Sequence, residues 1–64
     1  RVYDFIVERG DEGATDDELE VALGLPHQTA SVRRNGLRDD GWVTDSGQKR
    51  PTRSGAEAIV WVAQ

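Results

Sequence analysis

Residues 15–43, TDDELEVALGLPHQTASVRRNGLRDDGWV, decide the fold. Thr15 suits a helix N-cap, and Glu18 stands three places on, where a capping box needs an acid. Asp16, Asp17 and Glu18 also suit the positive end of the helix they open. Leu19, Ala22 and Leu23 make its buried stripe. Gly24 can take the left-handed conformation that stops a helix, Leu25 can pack behind it, and Pro26 fits the first turn of the next. That next helix runs from about Pro26 to Asp40, and Gly41 ends it ahead of the strand-like Trp42-Val43-Thr44.

Two helices joined by a Gly-Leu-Pro turn are the order of a helix-turn-helix, whose second helix is offered to a DNA groove. With Leu37 as the inward direction of that second helix, Ala30 lies about 20° away and faces the core. Gln28, Ser31, Asn35 and Arg38 fall toward the opposite side, with Val32 at the border. Gly36 costs roughly 1 kcal/mol in a helix interior, which close packing or a bend would justify.

Outward from this stretch, Val2, Phe5, Ile6 and the stem of Arg9 form the inner face of a first helix over residues 1–9. Tyr3 and Val7 sit on a shoulder that a sheet, a second subunit or a further segment must cover. After the helices, DSGQKRPTRSG at 45–55 is polar and turn-rich, and AEAIVWVA at 56–63 is β-branched and aromatic. Together they predict an antiparallel hairpin, with strands at about 42–50 and 56–63 and a tip between Pro51 and Gly55. Asp45-Ser46-Gly47 marks a bulge or break. In the last strand Ile59, Trp61 and Ala63 share one face, and Ala58, Val60 and Val62 the other. One face packs on the helices and the other should be partly exposed unless something covers it.

The 64 residues make a single domain, 1–64, of class α+β. So short a chain buries only about 60% of its unfolded surface, and its core must be economical. With no cysteine and one histidine, neither a disulfide nor a thiolate or protein-only metal cage is available to staple it. No apolar run is long enough for a membrane span and no secretory signal is visible, so the expectation is a soluble, cytoplasmic protein. A start at Arg1 rather than Met is what a piece of a longer product would show.

The net charge of −4 is unevenly placed. Residues 1–32 hold two basic and eight acidic side chains, whereas residues 33–64 hold six basic and four acidic. Two solvated faces of opposite sign would explain this; so would a surface for an anion.

The order of these elements resembles winged helix-turn-helix DNA-binding domains over nearly the whole chain. The likeness is to small bacterial and bacteriophage versions and, more distantly, to multiple-antibiotic-resistance-type regulators. It is carried by TDDEL at 15–19, LPHQTASVRR at 25–34, LRDDGWV at 37–43 and RPTRSG at 50–55 ahead of AIVW at 58–61. The resemblance implies a winged helix: a three-helix core followed by a two-stranded wing. It also implies a sequence-reading module for double-stranded DNA, in a transcriptional regulator or a phage DNA-binding protein. The third helix would enter the major groove, Gln28, Ser31 and Asn35 reaching base edges and His27 and Thr29 reaching bases or phosphate. Arg33, Arg34 and Arg38 would hold phosphates, and Lys49, Arg50 and Arg53 would bring the wing to the backbone or minor groove. With about five cations on phosphate, binding should fall steeply with salt.

Plainer roles compete for several of these residues. Arg33 and Arg34 can pair with Glu18 or Glu20 across the helices. His27 is most simply a polar first-turn residue, and no partner orients it toward Ser31 as a catalytic base. Asp16, Asp17 and Glu18 resemble a metal cluster, but helix-start chemistry explains them. Trp42 and Trp61 read first as core or hairpin-pair aromatics. No catalytic residue, metal site or cofactor is expected, and the chain is not expected to be an enzyme. A net-negative body predicts weak binding by one copy and useful affinity from a homodimer or fused partner, met through Tyr3, Val7, Val60 and Val62. The rival functions are a winged-helix protein-interaction module without DNA binding and an accessory domain of a larger DNA-processing enzyme.

Overall fold

The computed structural model describes residues 1–64, and it has the topology of a winged helix. Helix α1 spans Val2–Arg9 and runs into a 3-10 turn at Gly10–Glu12. Helix α2 spans Asp16–Leu23, α3 spans His27–Asp39, and strands β1 (Val43–Pro51) and β2 (Glu57–Ala63) form the antiparallel wing.

The start of α2 is a capping box. Thr15 Oγ1 accepts from the Glu18 N–H and Glu18 Oε1 from the Thr15 N–H, each at 3.2 Å, so two otherwise orphaned donors are satisfied. Gly24 ends α2 at φ 65° and ψ 35°, and the Leu25 N–H returns to the Glu20 carbonyl at 3.1 Å. Pro26 stands one residue ahead of α3 rather than in its first turn; its ψ of 153° is extended, and its carbonyl accepts from the Ala30 N–H.

The core is Val2, Ile6, Ala14, Leu19, Ala30, Val43 and Trp61, ringed by Tyr3, Phe5, Leu23, Leu25, Leu37, Ile59 and Ala63. Ala22, expected in the stripe of α2, is exposed. Leu19 occupies the core alone on that helix, with Leu23 half-buried at its edge. On α3 the inward line passes through Ala30 and Arg34, while Leu37 is only half-buried. Helix α3 runs through Gly36 without interruption, and a Cβ there would meet nothing within 4 Å. Close packing does not account for that glycine.

The hairpin register runs Val43↔Ala63, Thr44↔Val62 and Asp45↔Trp61, and resumes at Lys49↔Ile59. Ser46, Gly47 and Gln48 therefore bulge opposite Val60 alone. The bulge is held by its own side chains: the Gly47 N–H donates to Asp45 Oδ1 at 2.8 Å and the Gln48 N–H to Ser46 Oγ at 3.1 Å. Pro51 is the last paired residue of β1, and the tip beyond it is closed by Thr52 N–H to Ala56 O at 2.7 Å.

The outer edge of β2 is not left open. Ala14 pairs with Trp61 through two backbone bonds, N–H to O at 2.9 Å and O to N–H at 2.8 Å, and adds a one-residue third strand. Gly13 then passes close beside Val60 and Val62. At its φ of +61°, an added Cβ would sit 2.3 Å from the Trp61 carbonyl oxygen and 2.8 Å from Val60 Cγ1 and Val62 Cγ1. Val60 is buried and cannot serve the partner surface expected of it. Tyr3, on the shoulder of α1, is covered in part by Trp42, whose ring meets it edge-on at 5.3 Å, while Val7 stays exposed. Trp42 itself precedes β1 and remains half in solvent.

Candidate nucleic-acid interface

Because Ala30 and Arg34 turn inward, the first two turns of α3 present Gln28, Val32 and Arg33 to solvent, with Thr29 half-buried beside them. Pro26, Gln28, Thr29, Val32 and Arg33 line one shallow depression on this surface. The hairpin tip comes to the same end of the helix: His27, Thr52, Ser54 and Ala58 border a cleft floored by Asp16, Asp17 and Glu20.

Most of the other residues expected on the reading surface are engaged by the protein's own side chains, Lys49 excepted. Arg34 is buried, its Nε and Nη2 bonding Asp16 Oδ1 and Oδ2 at 2.8 and 2.6 Å, and its guanidinium lies 4.3 Å from the centre of the Trp61 ring. It is a strut between α2, α3 and β2, with its Nε and Nη2 donors directed inward. Ser31 donates to Asp16 Oδ2 of α2 at 3.0 Å, and Asn35 Oδ1 accepts from Arg34 Nη1; both are half-buried. Arg38 turns to its neighbour Asp39 at 3.1 Å, on the surface.

The wing arginines fold back onto the start of α2. Arg50 grips both oxygens of Glu18 at 2.8 Å and donates to the Glu12 and Gly13 carbonyls, and Arg9 reaches Glu18 Oε1 at 3.0 Å from the other side. Arg53 binds Asp17 through its backbone N–H at 3.1 Å and Nε at 2.7 Å, and Glu20 through Nη2 at 3.1 Å. Glu20 also meets His27 Nδ1 at 2.6 Å. Arg33 and Lys49 alone, of the six basic residues from position 33 on, have no carboxylate partner.

These pairs set the electrostatics. Burial would raise the pKa of Asp16, but the hydrogen bonds and charge of Arg34, with the Ser31 hydroxyl, outweigh it and hold the carboxyl below its usual range. Glu18 is likewise lowered: burial opposes, and Arg50, the Thr15 N–H and Arg9 prevail. The Arg53 hydrogen bond lowers Asp17. Arg50 and Arg53 are in turn held above their ordinary values, chiefly by hydrogen bonds to Glu18 and Asp17.

The acids of α2 thus do more than open a helix: Asp16, Asp17 and Glu18 each take a different arginine, from α3, the wing tip and β1. Arg34 pairs with Asp16 rather than with Glu18 or Glu20, and Arg33 pairs with neither. The sequence did carry a signal for this. The acids at 16–20 stand out in the sequence as helix-start chemistry and the cations after position 33 chiefly as an anion-facing set, whereas the structure pairs the two groups with each other.

Compared with protein-family models, curated proteins and solved structures, the chain matches none. No helix is long and apolar enough to cross a membrane.

Proposed function

We propose that this chain is a module for double-stranded DNA, with the first turns of α3 in the major groove and the hairpin on the backbone or minor groove. One observation carries the reading: α3 exposes Gln28, Val32 and Arg33 along one line while Ala30 and Arg34 anchor the other, and the wing tip stands beside the start of that helix. A helix held from behind, with a hydrogen-bonding front and a second basic element at its end, suits groove insertion. The resemblance to winged helix-turn-helix domains supports the same use, in a regulator or as the DNA-reading part of a larger bacterial or phage protein.

The electrostatics make a lone copy a weak binder. Arg33, Lys49 and the outer side of Arg53 remain for phosphate, fewer than the sequence promised. A titration of duplex DNA at low and moderate salt tests the reading. Binding should appear at micromolar protein in low salt, with a slope of log affinity on log salt near −3 for about three phosphate contacts.

A protein-interaction module is the second reading, favoured by the internal pairing of Arg34, Arg38, Arg50 and Arg53 and by the exposed Trp42. No duplex binding at micromolar protein in low salt would select it.

A further inference from the structure

The wing tip is fastened to α2 through Arg53, chiefly by Asp17 and secondarily by Glu20, which meets Nη2 at 3.1 Å. Asp17 takes two donors from the same residue, the backbone N–H and the Nε of Arg53, across 36 positions of sequence. A carboxylate that holds a backbone amide and a guanidinium together fixes both the loop and the direction of its side chain. The layering is ordered. The Arg53 side chain is 63% exposed, whereas Asp17 beneath it is 19% and Glu20 14% exposed. An anion approaching this tip meets the cation before the carboxylates. Arg53 is also not saturated: Nε and Nη2 are used, and Nη1 is left without a partner. The tip's own bonds, Gly55 N–H to Thr52 O at 2.9 Å and Thr52 Oγ1 to Ser54 Oγ at 2.9 Å, shape the turn but do not attach it to the helices.

We infer that Asp17 is a positioning residue for nucleic-acid binding: it clamps the hairpin tip against α2, beside His27 of α3, and aims the free edge of Arg53 at a backbone phosphate. The inference rests on the DNA reading above. Its force lies in the sign of the effect. Removing a negative charge from a DNA-binding surface ordinarily tightens binding. If Asp17 positions Arg53, its neutralisation loosens binding instead, because a wandering side chain and tip must be ordered again on the duplex.

The test compares Asp17→Asn with the unsubstituted chain on an arbitrary duplex. Asp17→Asn should bind about tenfold more weakly, with the salt slope shallower by about one, as for a lost phosphate contact. Glu57→Gln, at the exposed base of the same tip and outside every ion pair, controls for charge and should bind equally or more tightly. In an Arg53→Ala background Asp17→Asn should cause no further loss, whereas a general weakening of the fold would lower binding there too. Equal or tighter binding by Asp17→Asn overturns the inference and makes Asp17 a competitor of the phosphate.

A second readout needs no DNA. Backbone ¹⁵N relaxation of residues 52–56 in the free protein should show fast motion in Asp17→Asn and order in the unsubstituted chain. A tip that stays ordered without the carboxylate refutes the clamp. Absence of duplex binding by the unsubstituted chain, with a tip released by Asp17→Asn, would instead refute the DNA reading and the aiming at phosphate, leaving the clamp alone.

Discussion

Arg34 reaches from α3 to Asp16 at the first turn of α2 and closes a two-pronged pair at 2.8 and 2.6 Å, with the Trp61 indole beneath it. The pair ties both helices of the helix-turn-helix to the wing. It also decides which face of α3 is free, since a helix fastened along Ala30 and Arg34 must show Gln28 and Val32.

Arg34→Ala should therefore be severe. It leaves Asp16 half-sheltered without its partner, and losing one member of a buried pair costs about 3–5 kcal/mol. For a domain this small that approaches the whole stability. Urea denaturation followed by circular dichroism should show a chain largely unfolded at room temperature. An Arg34→Ala protein with a near-normal midpoint would mean that the pair contributes little.

Stability should depend on acid in one direction. Asp16 and Glu18 have lowered pKa values in the folded state, so the unfolded chain takes up protons first as pH falls. The stabilisation they bring is complete above the ordinary carboxylate range and disappears as pH drops through their lowered values. Melting temperature should be flat above about pH 5 and decline below it, and Glu18→Gln should make the decline shallower. A melting temperature that holds constant down to about pH 2 contradicts this.

Two glycines should respond oppositely to alanine. Gly36 has open space around its missing Cβ and helical backbone, so Gly36→Ala should stabilise by about 1 kcal/mol, a rise of roughly 4–8 °C. Gly13 combines φ +61° with the Trp61 carbonyl 2.3 Å from any Cβ, so Gly13→Ala should displace the bridge at Ala14 and prevent a cooperative transition. Thermal melts of both variants decide the matter.

On duplex DNA the roles should separate. Gln28→Ala should change base preference, because an amide reads adenine by two hydrogen bonds. Arg33→Ala should weaken all duplexes alike and make the salt slope shallower by about one. Selection from a random duplex pool measures the first and salt titration the second. If neither substitution alters binding, the interface lies elsewhere. Asn35→Ala is a poorer probe of base reading than the sequence implied, since its carbonyl oxygen is already committed to Arg34.

The helix-turn-helix, the hairpin with its bulge, and hence the α+β class were legible because each is written in neighbouring residues. Thr15 with Glu18 starts a helix, Gly24 stops it, Asp45 and Ser46 turn their own backbone, and Pro51 limits a strand. Such signals act over a few positions and survive without knowledge of the rest of the chain. The inward direction of α3 lies nearer Arg34 than Leu37 for a related reason: an apolar pattern points to Leu37, whereas Arg34 is accepted in the core because Asp16 and Trp61 satisfy it.

Where each charge goes was decided only by the tertiary structure. Asp17 meets Arg53, Glu18 meets Arg50 and Asp16 meets Arg34 across separations of 18 to 36 residues, and no local pattern chooses among those partners. The close approach of Gly13 to Val60 likewise joins residues far apart in the chain. Ion pairing and close approach are set by where the backbone brings two groups, so sequence alone determined the elements, and packing determined which of the arginines are left facing water.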